Sequence, residues 1–424
     1  MAGGAVLIKT AATITLPKTV RPVPAAERIW AIDALRGLAL LGVLAINLHT
    51  EFRVSLFEQF LAPPPASGLD GMAATFLSFA FEFKAISLFS ILFGVGLAIQ
   101  HERLARSPRR LPLLFRRLLA LLAFGLIHLF LIWNGDILTE YALAGLIVLP
   151  FLFAPVSASL TGAAFFLLLY FSLSMLQLPI LPDPSSMGAH VIVARHIYGT
   201  GGFIEVLRFR VAEVPQIAKL LAYIFPRTLA LILLGAWLWR SGAVRELAER
   251  KAELLAAGTL LLAGGFILTA QSKGYVTLVH VGPASGAALK SIVNALNEVA
   301  PVFVALGYAA LVLLGSGFAR CRAALQWAVP VGRTAFSNYI LQSVVLGWIF
   351  YGYGLGLMGH VGAAAGIIIS SVIFAVQAWL SASWLRTHRF GPLEWLWRTL
   401  MYGERQPWIR RSANDRNVGL ATPG

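Results

Sequence analysis

The feature that most constrains this chain is a repeated apolar run of about 20 residues, the length an α-helix needs to cross the roughly 30 Å hydrocarbon core of a bilayer. Such runs lie near 30–50, 73–100, 113–133, 137–154, 156–178, 217–239, 252–271, 290–314, 333–352 and 361–385, about ten in all. In lipid a backbone must satisfy its own N–H and C=O groups, so runs of this length predict helices. Composition excludes the alternatives. Of 424 residues, 58% are hydrophobic and only 12% charged, against roughly 25% charged in an average soluble domain. That leaves too few charges to clothe a soluble globule, and the chain is too apolar for disorder. The expected fold is an all-α, polytopic transmembrane helical bundle. A flexible cytoplasmic tail is expected over 1–27, with no signal-peptide core. The bundle then occupies 28–385, and a basic, aromatic cytoplasmic segment occupies 386–424.

The chain carries 34 Lys and Arg against 19 Asp and Glu, a formal charge of +15. In a soluble protein that excess would suggest a nucleic-acid partner. Here the basic residues sit in short loops between apolar runs, which is the pattern of membrane orientation, and no nucleic acid is expected. With the N-terminus in the cytoplasm and sides alternating, 24 fall on the inside, six (Arg53, Arg195, Arg208, Arg210, Lys273 and Lys290) outside, and Arg36, Lys84, Lys219 and Arg227 in or at the edges of spans. Both termini are therefore expected inside, with segment 179–216 outside. Within it, Phe203–Val214 alternates apolar and charged residues and reads as a short interfacial helix; a lid or acceptor platform is the functional alternative. The single cysteine, Cys321, can form no intrachain disulfide, and no Cys/His spacing suits a metal.

Ionisable residues inside spans are costly, so they mark where function should be sought. They form two groups by depth. The inner group is Asp33, Arg36, Arg333 and Asn338. Asp33 and Arg36 are three apart in ERIWAIDALRG and share a helix face. They either pair structurally or leave Arg36 to hold a phosphate or carboxylate in its planar fork. Gly37 beside it would allow close approach of a ligand or helix. Arg333 reads equally as a snorkelling interfacial arginine. The outer group comprises Asn47, His49, Glu82, Lys84, His128, Asp136, Glu140 and Glu298, with Asn294, Asn297 and Arg227 at similar depth. Asn47 lies about 16 Å along the first helix from Arg36, so two polar layers sit at opposite ends of one helix. Glu82 and Lys84 read as interfacial charges, and Asp136, after Gly135, as a helix cap. His128, alone in FGLIHLFLIW, must find a partner on another segment; with a carboxylate it could act as a general base. There is no P-loop, dinucleotide fingerprint, GxSxG or HExxH. FGVGLAI reads as a small-residue packing face.

Five blocks together resemble one family: RIWAIDALRGLALLGVLAIN, LFSILFGVGLAI, HLFLIWNGDILTEYALAGL, GRTAFSNYILQS with FYGYGLGLMG, and GPLEWLWRTLMYGERQP. They resemble the YeiB-like family of bacterial membrane proteins (domain of unknown function 418), over about Arg28 to Pro407. That resemblance implies a multi-pass protein of the bacterial cytoplasmic (inner) membrane. The family is distantly similar to membrane acyltransferases that carry acyl groups from cytoplasmic acyl-CoA to acceptors across the membrane. LRG near the start of the first span, with a polar residue eleven positions after its arginine, is the shared piece. In sugar O-acetyltransferases that residue is a catalytic histidine; here it is Asn47, as in the glucosaminide N-acetyltransferase branch. The implied donor is acyl-CoA, with no tightly bound cofactor, and the acceptor a small molecule, glycan or lipid. On this reading His128 is the base, Asp136 or Glu298 its orienter, and Asn47 the positioning group. Arg36, Asp33, Lys84, Glu82, His49, Glu140, Arg333 and Asn338 are candidate substrate-binding residues. A transporter or lipid-handling protein is the alternative, and a scaffold with structural ion pairs a third. Membrane lipids are expected partners in every case, and a homo-oligomer stays open.

Overall fold

Residues 30–61, 68–176, 184–279 and 286–410 are described by a computed structural model, and the regular elements among them are all helical. The first apolar run forms α1 (Trp30–Asn47), continues as a π turn (Leu48–Phe52), and is followed by a 3-10 turn (Leu56–Phe60). The second forms α2 (Gly68–Ala80) and α3 (Lys84–Arg103). Then come α4 (Arg110–Ile127) with a π turn at His128–Ile132, α5 (Leu138–Phe153), α6 (Val156–Met175), α7 (Pro184–Thr200) and α8 (Phe203–Arg240). The remainder is α9 (Ala243–Glu249), α10 (Lys251–Ser272), α11 (Ala287–Gly315), α12 (Ala319–Leu325), α13 (Ala328–Arg333), α14 (Ala335–Phe350), α15 (Ala363–Thr387) and α16 (Pro392–Tyr402). The chain is thus an all-α polytopic membrane bundle. Among the described residues, eight stretches are long and apolar enough to cross a bilayer. Helices α5 and α14 are equally apolar, but their 16 residues reach only about 24 Å. Large apolar side chains such as Trp379 and Ile368 face outward, as a lipid solvent requires. The 1–27 tail and the end of the C-terminal segment, from 411, lie outside the described residues.

Two details differ from the sequence expectation. Phe203–Val214 is not a short interfacial helix. It is the first third of α8, which runs 38 residues through Pro215 and Pro226. Proline is tolerated within membrane helices because neighbouring groups satisfy the carbonyl it frees. The same outside segment also carries a separate helix, α7. Second, α2 and α3 are separated by Phe83 with φ 58°, an unfavourable backbone for a bulky residue. The break is held by its flanking charges. Lys84 Nζ donates to the Ser78 carbonyl at 2.7 Å, and Glu82 accepts the Ser78 hydroxyl at 2.5 Å. Glu82 also pairs with Lys273 at 2.7 Å.

Glycines let the central helices cross closely. A Cβ on Gly94 would overlap the Ile232 carbonyl, and one on Gly235 the Ile91 carbonyl, so FGVGLAI packs α3 against α8. Gly37 and Gly332 do the same for α1 and α13; the close approach at Gly37 is by a helix. The core divides along α1. Residues 32–39 join a cluster with α3, α5 and α8, and residues 40–52 join a second with Trp133, Tyr339, Phe350 and Tyr351.

Candidate functional site

A cavity of about 770 Å³ opens at the end of the bundle that carries Arg36. Asp33 and Arg36 from α1, Arg117 from α4, Arg333 from α13 and Arg398 from α16 line its mouth. Arg36 Nη1 lies 3.4 Å from Asp33 Oδ1, a loose pair that leaves the fork available. Its other terminal nitrogen sits against Gly96, where a side chain would crowd it. Arg117 stacks over Trp397 at 4.5 Å, and the Trp397 indole donates to the Arg117 carbonyl at 2.8 Å. Arg36 and Arg398 each lie within electrostatic reach of Arg117. Like charges held together in a concave, low-dielectric mouth raise the local concentration of anions.

Helix α16 is fastened across this mouth by Glu394. Its Oε1 accepts the Phe336 and Ser337 amides at 2.8 and 3.1 Å, and its Oε2 the Ser337 hydroxyl at 2.5 Å. A carboxylate thereby caps the N-terminus of α14 from another helix, where the helix dipole favours negative charge. Burial pushes the Glu394 carboxyl above its usual value, and these donors pull against that shift.

Deeper in, the lining becomes apolar and aromatic, ending at Tyr141, Tyr339, Ile137 and Leu138. His128 stands immediately behind Tyr339, with ring centres 5.2 Å apart. His128 and Asp136 side chains are both fully buried, and Nδ1 lies 2.8 Å from Asp136 Oδ1. Asp136 also accepts the Leu138 and Thr139 amides at 3.1 and 2.7 Å. The helix-cap role expected of it and the His128 bond therefore coexist. With Nδ1–H donated to the carboxylate, Nε2 carries the lone pair. That atom is buried and has no hydrogen-bond partner among the described residues. The imidazole sits on a π turn, as does the neighbouring end of α1, and π turns recur at functional sites.

The other candidates are dispersed. Asn47 is half-buried at the end of α1, and the hydrogen bonds of His128 and Asp136 among the described residues do not include it. The Nδ1 of His49 is buried and unpartnered among the described residues. Glu140 is buried and accepts the Thr228 hydroxyl at 2.5 Å, tying α5 to α8. Glu298 does not reach His128: it accepts the Tyr170 hydroxyl at 2.9 Å, between α11 and α6. Glu82 and Lys84 staple the Phe83 break. Asn338 donates to Thr334 and Ser381 at 2.8 and 2.9 Å, in a ladder between α14 and α15, and Arg333 lines the cavity.

Sequence reasoning missed Arg117, Arg398, Glu394 and Tyr339, which share the cavity with Arg36. Their signals were present: Tyr339 and Glu394 lie inside the GRTAFSNYILQS and GPLEWLWRTLMYGERQP blocks. It also missed Glu51, whose Oε2 is buried, unpartnered among the described residues and lies beside Gly135.

The model of a family described as protein of unknown function (DUF418) matches residues 238–404, the part of the chain holding Arg333, Tyr339, Glu394 and Arg398. The chain is 34% identical over 419 residues to a Bacillus subtilis (strain 168) protein, uncharacterized protein YxaH, covering 93% of this chain and 99% of the relative. It is 29% identical over 404 residues to uncharacterized protein YeiB of Escherichia coli (strain K12), covering 91% and 100%. With relatives this similar along nearly their full lengths, this polytopic membrane protein belongs to the YeiB-like DUF418 family.

Proposed function

We propose that this protein is a membrane acyltransferase of the bacterial inner membrane, moving an acyl group from cytoplasmic acyl-CoA to a hydroxyl or amine acceptor that arrives from the other side. The observation that carries this reading is the buried His128–Asp136 pair, with Nε2 bare, directly behind the Tyr339 that lines the inner end of a cavity whose mouth is ringed by arginines. An amphipathic donor with a multiply anionic head suits such a cavity: Arg36, Arg117, Arg333 and Arg398 hold phosphates by bidentate contacts, and the apolar depth holds the thioester arm.

Asp136 fixes the imidazole tautomer, and His128 Nε2 takes the acceptor proton. The acceptor oxygen or nitrogen bonds to the thioester carbonyl carbon, the C–S bond breaks, and Nε2 returns the proton to the departing thiolate. Tyr339, whose hydroxyl makes long contacts of 3.4 and 3.5 Å to the 135–137 turn, stands between donor and base and moves to admit the reacting carbon. Asn47 contributes at the end of α1, from the acceptor side.

The test uses purified protein in nanodiscs with acetyl-CoA, following free thiol release with water as the acceptor. Wild type releases thiol above the lipid-only blank. His128→Ala lowers the rate by about 10²–10⁴ while CoA binding by calorimetry persists. Arg36→Lys weakens CoA binding and leaves the fold intact. Full thiol release by His128→Ala, or wild type that binds no CoA, refutes the proposal. Binding of anionic lipid in place of CoA would instead favour the lipid-handling reading.

A further inference from the structure

At the His128 end of the molecule, α8 presents Arg210 and Glu213 three residues apart, on one face. Glu213 is buried and its oxygens are engaged. Oε2 accepts the Asn134 amide at 2.8 Å and the Tyr198 hydroxyl, and Oε1 meets His190 Nε2 at 2.8 Å. Arg210 differs. It is 1% exposed, its guanidinium carbon lies 5.8 Å from the Tyr351 ring centre, and the Tyr353 phenol is close by. Beyond that phenol, Nε, Nη1 and Nη2 find no hydrogen-bond partner among the described residues. A guanidinium offers five N–H donors, and a buried cation with at most one of them satisfied is among the costliest arrangements in a protein.

The walls around Arg210 are firmly built. Tyr198 stacks on Tyr351 at 4.9 Å, and Tyr351 on Phe52 at 5.6 Å. The Gly352 amide donates to the Tyr198 carbonyl at 2.7 Å. A side chain on Gly352 would overlap the Thr200 backbone, which explains why the glycine-rich YGYGLG stretch roofs α7 here. His190, with a side chain 34% exposed, marks where the cluster meets the surface.

We propose that Arg210 anchors an oxyanion-binding site at the His128 end, taking the carboxylate or phosphate group of a ligand that enters from that face of the membrane. The planar fork accepts either group through two parallel hydrogen bonds, and the Tyr353 phenol stands ready as a further donor. The chemistry is shared by a free anion and by an anionic lipid headgroup, and the experiment separates the two.

Thermal unfolding of the purified protein is followed while inorganic phosphate is titrated, and in parallel in nanodiscs of phosphatidylcholine with and without phosphatidylglycerol. The variants are made in an Arg36→Met background, which weakens the response of the arginine-ringed cavity. Phosphate raises the midpoint in a saturable way, as any ligand of the folded state does. Arg210→Met diminishes that rise, and without added anion it unfolds no earlier than its parent, because it deletes an unpaired buried charge. Arg210→Lys keeps the charge and loses the fork, weakening the apparent affinity about tenfold. A response to phosphatidylglycerol alone identifies the ligand as a lipid headgroup, and a response to phosphate identifies a soluble anion. The proposal fails if Arg210→Met leaves the response undiminished, or if neither arm responds. It also fails if Arg210→Met collapses the fold while Arg210→Lys binds anion like its parent, since Arg210 would then be a structural cation. No readout needs turnover, so the result stands apart from the acyl-transfer proposal.

Discussion

Asp136 accepts the first amides of α5 and holds the His128 ring with the same carboxyl group, so one side chain both starts a helix and orients an imidazole. The Leu138 and Thr139 amides hold that carboxyl group in place, and the bond it receives from Nδ1 fixes the imidazole tautomer. His190 shows a similar link nearer the surface. Its bond to Glu213 raises it above the usual histidine value of 6.5, against a smaller opposing effect of burial. A raised folded value means the link contributes fully below pH 6.5 and is lost as pH rises through the folded value. Hydrogen exchange of α7 amides, corrected for intrinsic rate, should therefore quicken relative to α8 across that rise, and His190→Gln should flatten the profile. A wild-type profile already flat would remove the effect. At this scale the sequence exposed His128 and Asp136 because each is costly where it sits. It could not show Tyr339 or Arg117 as members of the same cavity, since an amphipathic side chain near a helix end looks like an interface anchor.

At the scale of elements, glycine does most of the positioning. Gly235 and Gly94 bring the α3 and α8 backbones into contact, and α8 carries Arg227, Glu213 and Arg210 to the far end. Gly235→Val would drive a side chain into the Ile91 carbonyl, a rigid neighbour, so a loss of about 3 kcal/mol or more is expected, at or above the upper end of ordinary overpacking. Gly188→Ala, with nothing within 4 Å of the added carbon, should stay within about 0.5 kcal/mol. Reversible unfolding in mixed micelles reads both; equal effects would show that the crossing is not tight. The packing role of FGVGLAI was legible because small residues at helical spacing have few other uses in lipid. The continuity of α8 was not. Charges at 205, 208, 210 and 213 followed by Pro215 read as a separate interfacial piece, because proline ordinarily ends a helix and only neighbouring helices reveal that this one continues.

The whole molecule has two chemically different ends. Arginines crowd the Arg36 end, and a buried carboxylate–imidazole–tyrosine network fills the other. The excess of Lys and Arg in alternate loops predicts a cytoplasmic Arg36 end. A reporter active only in the cytoplasm should work when fused after Gly424 and stay silent when inserted near Ser186; the reverse pattern would invert the molecule and take the acyl-CoA reading with it. What the sequence determined by itself was the class of fold and the two layers of polar residues along α1. Backbone groups in lipid can be satisfied only within a local helix, so length and apolarity suffice for the first, and the helical rise suffices for the second. Which polar groups meet was decided only by tertiary structure. His128 and Tyr339, Glu140 and Thr228, Glu298 and Tyr170, and Arg210 and Tyr351 are joined across helices distant in the chain. Their pairing depends on the order and rotation in which helices pack, and a uniformly apolar surface in a lipid solvent carries almost no periodic signal to specify it.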